Sequence, residues 1–245
     1  MSSGFYHAIA TYYDYIFPVG TEQLDFLKNT CTKAHCKILD VACGNGGYSI
    51  ELSKLGHSIT AVDLDATMIS QAKSKLKEFN GELEMKVKQA DMLLLTETLS
   101  EKYDLIFCIG NSIVHLGDIG EIRKFLCETK ALLKQDGKVV FQIINFDRVF
   151  AHNITFLPTI NNEKIKLSFE RNYYFEPESG KVLFGTILKV DELKIENSIP
   201  LLPLLSEDFV MLMKECGYQD IEVYGDFSSK AYEKNESYML IIKAG

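Results

Sequence analysis

The stretch ILDVACGNGGYSIEL, residues 38–52, changes character halfway. Strand-type residues give way to a knot of tiny ones at Ala42, Gly44, Gly46 and Gly47, and helix-type spacing follows. A strand that ends in small residues and then opens a helix leaves backbone N–H groups and a positive helix terminus exposed above a sheet. A flat, polar ligand is expected close against that knot.

Outward from it, short apolar runs at 37–41, 58–62, 83–87, 104–109 and 138–144 alternate with segments of helical spacing. That rhythm predicts an α/β fold, a doubly wound, mostly parallel sheet with helices on both faces. Residues 66–79 predict an amphipathic helix capped by Asp65, and 119–133 a second one, ended by Gly137 in a left-handed turn. After residue 145 the pattern becomes β-branched and aromatic. Residues 164–175 and 181–193 flank Glu176-Pro177-Glu178-Ser179-Gly180 and predict an antiparallel hairpin. A helix capped by Ser206 and stopped by Gly217, then strands at 221–224 and 238–242, complete a seven-stranded sheet. The expected organisation is a ligand-binding domain from 1–145 and 204–245, with 146–203 as an inserted antiparallel subdomain on the substrate side.

The 245 residues carry a net charge of -8, which gives no broad field for phosphate backbones, so nucleic acid is not an expected partner. The alternate spacing of Lys73, Lys75 and Lys77 predicts a solvated helix face. No basic start with an apolar run and no long apolar stretch is seen, which predicts a cytoplasmic protein with no membrane partner. Six scattered cysteines form no C-x-x-C pair and predict free thiols, three of them within apolar patterns, with no metal site. Oligomeric state is left open.

In doubly wound folds the carboxyl ends of the first two strands share one crevice. The second strand ends in Asp63, nineteen residues after Gly44, a spacing suited to a carboxylate that accepts from ribose hydroxyls. A nicotinamide dinucleotide would prefer a glycine where Ser49 stands, and Asp40 beside a pyrophosphate would repel it. Next to an ammonium the same carboxylate attracts, so the expected cofactor is S-adenosylmethionine. An NAD(P)-dependent oxidoreductase and a non-catalytic S-adenosylmethionine-binding partner protein stay as alternatives.

Asp40-x-x-x-Gly44-x-Gly46, Asp63, and Asp91 in QADM together resemble the successive signatures of the class I S-adenosylmethionine-dependent methyltransferases across 36–145. DVACGNG, CIGNSIVHLGD and the ending GDFSSKAYEKNESYMLIIK are similar to glycine N-methyltransferase and its small-molecule relatives over nearly the full length. The resemblance implies that Ala42 and Gly44 line the methionine part, Asp63 holds the ribose and Leu64 packs the adenine. It also implies that Asp91 accepts from the adenine amino group, that Met92 covers its ring, and that Ile109 and Asn111 border the methionine end. In many relatives the N-terminal stretch folds over the cofactor; here FYHAIATYYDYIF offers Tyr6 and Tyr13 as contacts.

Asn111 and His115, which follow the fourth strand, are placed by the resemblance beside a small methyl acceptor as catalytic and substrate-binding residues, with Asn145 as a further substrate contact. His115 suits a base or an orienting group near neutral pH. The expected reaction is metal-free in-line transfer to nitrogen rather than oxygen. Where relatives carry an arginine for a carboxylate just before the Asn at the end of the fifth strand, this chain has Ile144, and Arg148 and Arg171 are the nearest spare cations. Ile199, Leu201 and Leu202 suggest an apolar body in the acceptor.

Overall fold

The computed structural model describes residues 8–245. Five strands run parallel: β1 (Lys37–Val41), β2 (Ser58–Asp63), β3 (Met85–Gln89), β4 (Tyr103–Cys108) and β5 (Leu133–Ile144). At one edge β11 (Met239–Ala244) pairs antiparallel with β5, and β10 (Glu222–Tyr224) with β11. The spatial order is 3-2-1-4-5-11-10, so strand order reverses between β1 and β4, and the ligand crevice of such sheets opens there.

Successive side chains of β1 enter opposite layers. Leu39 and Val41 join Phe125 and Leu126 of helix α4 (Ile119–Leu132) and Phe209 and Leu212 of α6 (Ser206–Glu215). Ile38 joins Leu27 of α1 (Thr21–Thr30) and Leu52 of α2 (Gly47–Lys54). Burial on both faces explains why these strands read as continuous apolar runs. Asp40 shares the face of Ile38 and is 3% exposed, an acid in a largely apolar layer. No helix of the described residues is long and apolar enough to cross a membrane. The six cysteines are all free, Cys36 and Cys108 buried and Cys127 exposed.

Helix α3 (Ala66–Lys77) starts as expected, with the Asp65 carboxylate accepting from the N–H groups of Thr67 and Met68. Two helix ends differ from the sequence reading. Ser206 is not a cap: it is the first helical residue, and its N–H donates to the Asp147 carboxylate at 2.8 Å, so the cap comes from α5 (Phe146–Ala151). Gly137 does not end α4 in a left-handed turn. The chain runs from Leu132 straight into β5, which bulges: Tyr103 pairs with Leu133, whereas Leu105 pairs with Lys138. A Cβ on Gly137 would stand 2.9 Å from the Tyr103 carbonyl oxygen, so close backbone approach selects glycine there.

A second, antiparallel sheet follows β5, in the order β6 (Phe156–Asn162), β7 (Leu167–Glu176), β8 (Lys181–Val190) and β9 (Leu193–Leu201). The β7–β8 pair is the hairpin the turn signal predicts. The outer strands were not readable as strands because Pro158 and Pro200 interrupt them. Both lie on sheet edges, where a missing N–H need break no ladder bond.

The N-terminal segment forms a 3-10 turn at Ala10–Tyr12 and one helical turn at Tyr13–Ile16. Ile9 and Ile16 are buried against Leu167, Phe169, Leu188 and Ile199 of the second sheet. The segment is thereby anchored between that sheet and the glycine knot.

Candidate active site

Ala42, Gly44 and Gly46 have φ of 58°, 55° and 80°, three left-handed residues at alternate positions. For Ala42 this conformation costs roughly 1–2 kcal/mol, which the surrounding loop must offset. The loop is closed by the Cys43 N–H to the Val62 carbonyl and the Gly46 N–H to the Cys43 carbonyl, each at 3.0 Å. A Cβ on Gly44 would lie 2.7 Å from the Tyr13 hydroxyl, and one on Gly47 2.8 Å from Val19. Part of the answer to why side chains are missing here is therefore the protein's own N-terminal segment. Tyr13 lies against the knot; Tyr6 lies outside the described residues.

Two residues that sequence reasoning missed hold this arrangement. The Asn45 amide donates to Asp14 at 2.9 Å, and Lys75 pairs with the same carboxylate at 2.6 Å. Asn45 is 3% exposed and is the one polar side chain inside the tiny-residue run, which is the signal that it needed a partner. Lys75 is thus not wholly part of a solvated lysine face.

Below and beside the loop sit two acids. The Asp40 carboxylate accepts from the Ser49 hydroxyl at 2.6 Å, so the serine in the place of a third glycine has a partner. Asp63 accepts from the Gly44 N–H with one oxygen and the Asp65 N–H with the other, both at 2.8 Å. Burial pushes Asp40 up to about 7, against the Ser49 hydrogen bond and with help from the Asp63 charge. Burial likewise raises Asp63, although the N–H groups of Asp65 and Gly44 oppose it. Among the described residues neither acid has an ion pair. Cys43 and Cys108 nearby are raised as well, first by burial and then by both carboxylates, so they stay protonated thiols.

Around the crevice, Leu64 leaves an apolar side chain 41% exposed at the end of β2. Asp91 opens the turn Met92–Leu94 by accepting from the Leu93 N–H at 2.9 Å, and Met92 packs partly on the core. Ile109 is partly buried at the end of β4. The next two residues are left-handed, Gly110 at φ 88° and Asn111 at 69°. Gln142 and Asn111 stitch this turn to β5: the Gly110 N–H donates to the Gln142 side chain at 2.7 Å, and the Ile144 N–H to the Asn111 side-chain carbonyl at 2.9 Å. His115 ends a 3-10 turn at Ile113–His115, and burial pushes its pKa down to about 4, so the imidazole is neutral at neutral pH. Asp118, not His115, caps α4.

Asn145 departs most from its expected role as a substrate contact. Its amide donates to the carbonyls of Lys234 and Ser237 at 2.8 Å, and its carbonyl accepts from the Tyr232 hydroxyl at 2.9 Å and the Arg148 N–H at 3.3 Å. With both amide protons and both lone pairs engaged, it fixes the C-terminal loop over the end of β5.

A methyltransferase-domain family matches residues 38–137 of this chain. The chain is 30% identical over 199 residues to a glycine/sarcosine/dimethylglycine N-methyltransferase of Actinopolyspora halophila, covering 81% of this chain but only 34% of that protein. It is 26% identical over 216 residues to a glycine/sarcosine N-methyltransferase of Aphanothece halophytica, covering 88% and 78%. In fold it matches an S-adenosylmethionine-dependent methyltransferase from Clostridium acetobutylicum with a TM-score of 0.79 at 20% identity, over 98% of both chains. An S-adenosylmethionine-bound amino pentose methyltransferase from Micromonospora echinaspora matches with a TM-score of 0.70 at 15% identity, over 97% of both.

Proposed function

Since the chain belongs to the class I S-adenosylmethionine-dependent methyltransferases and is related to the glycine/sarcosine N-methyltransferases, we propose that it methylates a nitrogen of a small molecule. The observation that carries this reading is the pair Asp40 and Asp63, raised by burial and unpaired with any cation among the described residues, at the mouth of a left-handed glycine loop. Such a site favours a cationic nucleoside over a phosphate chain.

In this reading each oxygen of Asp63 keeps a second lone pair for a ribose hydroxyl while it holds the Gly44 and Asp65 N–H groups. Ala42 and Gly44 line the methionine part, with the Asp40 charge beneath. Leu64, Asp91 and Met92 enclose the adenine, Ile109 borders the methionine end, and Tyr13 covers the site. S-adenosylmethionine supplies an electrophilic methyl carbon on a sulfonium, open to in-line displacement by an amine lone pair without a metal. Asn111 fixes the floor of the acceptor side through its bond to Ile144 and leaves its amide protons to donate. His115, neutral at working pH, orients the amine or takes its proton. Asn145 acts on the acceptor only by fixing the surrounding loop. The N-terminal segment excludes water.

Calorimetric binding of S-adenosylhomocysteine, and its release from S-adenosylmethionine across a panel of amines and phenols, tests the reading; no binding, or turnover of phenols alone, would overturn it. His115→Ala is expected to lower kcat tenfold or more with cofactor affinity unchanged. Because its pKa lies near 4, wild-type kcat should show no step from His115 between pH 6 and 8.

A further inference from the structure

Residues 139–144 of β5 include one polar side chain, Gln142. It is 6% exposed and shares its sheet face with Val140 and, across the pairing with β11, with Ile241, both wholly buried. A buried amide on such a face needs a partner that accounts for it. That partner is the Gly110 N–H, which donates to Gln142 Oε1 at 2.7 Å.

The bond stands where the sheet runs out. The pairing of β4 with β5 ends at Cys108 and Phe141, and the backbone of β4 then turns away through two consecutive left-handed residues, Gly110 at φ 88° and Asn111 at 69°. Two side chains, one from each side, take over from the ladder there. Gln142 accepts from Gly110, and Asn111 Oδ1 accepts from the Ile144 N–H at 2.9 Å. A left-handed residue with a side chain is strained, and this crossed pair of bonds holds it in place. A Cβ on Gly110 would meet no atom of the described residues within 4 Å, whereas one on Gly44 would stand 2.7 Å from the Tyr13 hydroxyl. Glycine at 110 therefore answers to backbone conformation rather than to crowding, and the space beside it is open.

From this turn the chain passes directly into the 3-10 turn Ile113–His115, where the His115 N–H bonds the Ser112 carbonyl at 3.1 Å. The Val114 carbonyl accepts from the Leu202 N–H, just after β9, at 2.8 Å. Segment 110–115 is thus pinned at its start by β5 and near its end by the second sheet. We propose that Gln142 is a positioning residue for methyl transfer: acting through Gly110, it sets where Asn111 and His115 stand against the acceptor. The proposal rests on the methyl-transfer reading of the same crevice. In-line displacement is sensitive to alignment, and a misplacement of about 1 Å can cost on the order of 100-fold in rate. The cofactor's ribose and methionine part are assigned to Asp63, Ala42 and Gly44 at the ends of β1 and β2, none of which Gln142 hydrogen-bonds. Loss of its bond should therefore fall on kcat rather than on cofactor affinity.

Two variants test it: Gln142→Leu removes the accepting oxygen, and Gln142→Glu keeps one whether or not its carboxyl is ionised. Hydrogen exchange at the Gly110 amide, followed by NMR, should be roughly tenfold faster in Gln142→Leu than in the wild type or Gln142→Glu. With the amine that the wild type turns over best, Gln142→Leu should lower kcat roughly 10- to 100-fold, and Gln142→Glu should recover most of that loss. Calorimetric affinity for S-adenosylhomocysteine should stay within about threefold in both. An undiminished kcat in Gln142→Leu, a Gln142→Glu as slow as Gln142→Leu, or unchanged exchange at Gly110 would overturn the proposal. So would a loss of S-adenosylhomocysteine affinity as large as the loss of kcat. If Gln142→Leu does not fold, Gln142→Glu decides: near-wild-type kcat with slow Gly110 exchange supports the role, and a loss of about tenfold or more overturns it. A wild type that turns over no amine overturns the methyl-transfer reading and this role with it. A wild type that turns over an amine no faster than Gln142→Leu does overturns this role alone.

Discussion

At the amino ends of the parallel strands, Asp104 receives Lys33 at 2.6 Å, Lys134 at 2.7 Å and the Lys37 N–H at 2.9 Å, and Glu101 receives Lys37 and Lys86. At the carboxyl ends, Asp40 and Asp63 receive a hydroxyl and two backbone N–H groups between them and no lysine. Burial lifts Asp104, but its lysines outweigh burial and hold it down to about 2; the lysine bonds do the same for the exposed Glu101. Asp40 is left at about 7. Acids matched from within stabilise the fold, whereas acids left unmatched are available to a ligand's positive charge.

The largest effect that can break this comparison is Asp63→Ala, expected to weaken S-adenosylhomocysteine by roughly 1–3 kcal/mol in calorimetry. Unchanged affinity would remove Asp63 from the ligand side of the contrast. Next is Asp104→Asn, expected to lower stability to denaturant by about 1–2 kcal/mol at pH 7 while leaving that affinity alone. Weaker ligand binding in this variant would mean that the two ends are not independent.

The smallest effect has the opposite sign. A raised folded pKa contributes stability that is complete below the unfolded value, 3.8 for Asp40, and is lost as pH rises through about 7. Asp40→Asn should therefore stabilise the ligand-free protein above pH 7 by roughly half a kcal/mol, and weaken binding of S-adenosylmethionine. Asp104, depressed to about 2, does the reverse: its contribution is present above 3.8 and lost as pH falls toward 2. Urea titrations of wild type and Asp40→Asn at pH 6 and 8 separate the two; a variant no more stable than wild type at pH 8 would show that Asp40 is already compensated.

Much of this was legible in the chain. The strand–knot–helix sequence at 38–52 and the acid Asp63 nineteen residues after Gly44 marked the crevice, because strand ends and helix starts are local events with local residue signatures. What local patterns do not carry is partnership over long separations. Asp147 capping the helix at Ser206, Asn145 gripping the loop at 234–237, and Asp14 joining Asn45 to Lys75 each link distant segments, so no single stretch announces them. Gly137 misled for a related reason: a glycine after a helix reads as a terminator, and only pairing with β4 shows that it yields to the Tyr103 carbonyl. Strands β6 and β9 were hidden by prolines that edge positions tolerate.

The second sheet meets the N-terminal segment and the main domain through side chains at every other position, while its hydrogen-bond ladder belongs to the backbone alone. Exchanging side chains on that face therefore alters what the sheet presents to the N-terminal segment and the main domain without disturbing how the strands pair or how the glycine loop is built. Selection, or an engineer, can revise that face in small separable steps while the parallel sheet and its glycine loop stay as inherited.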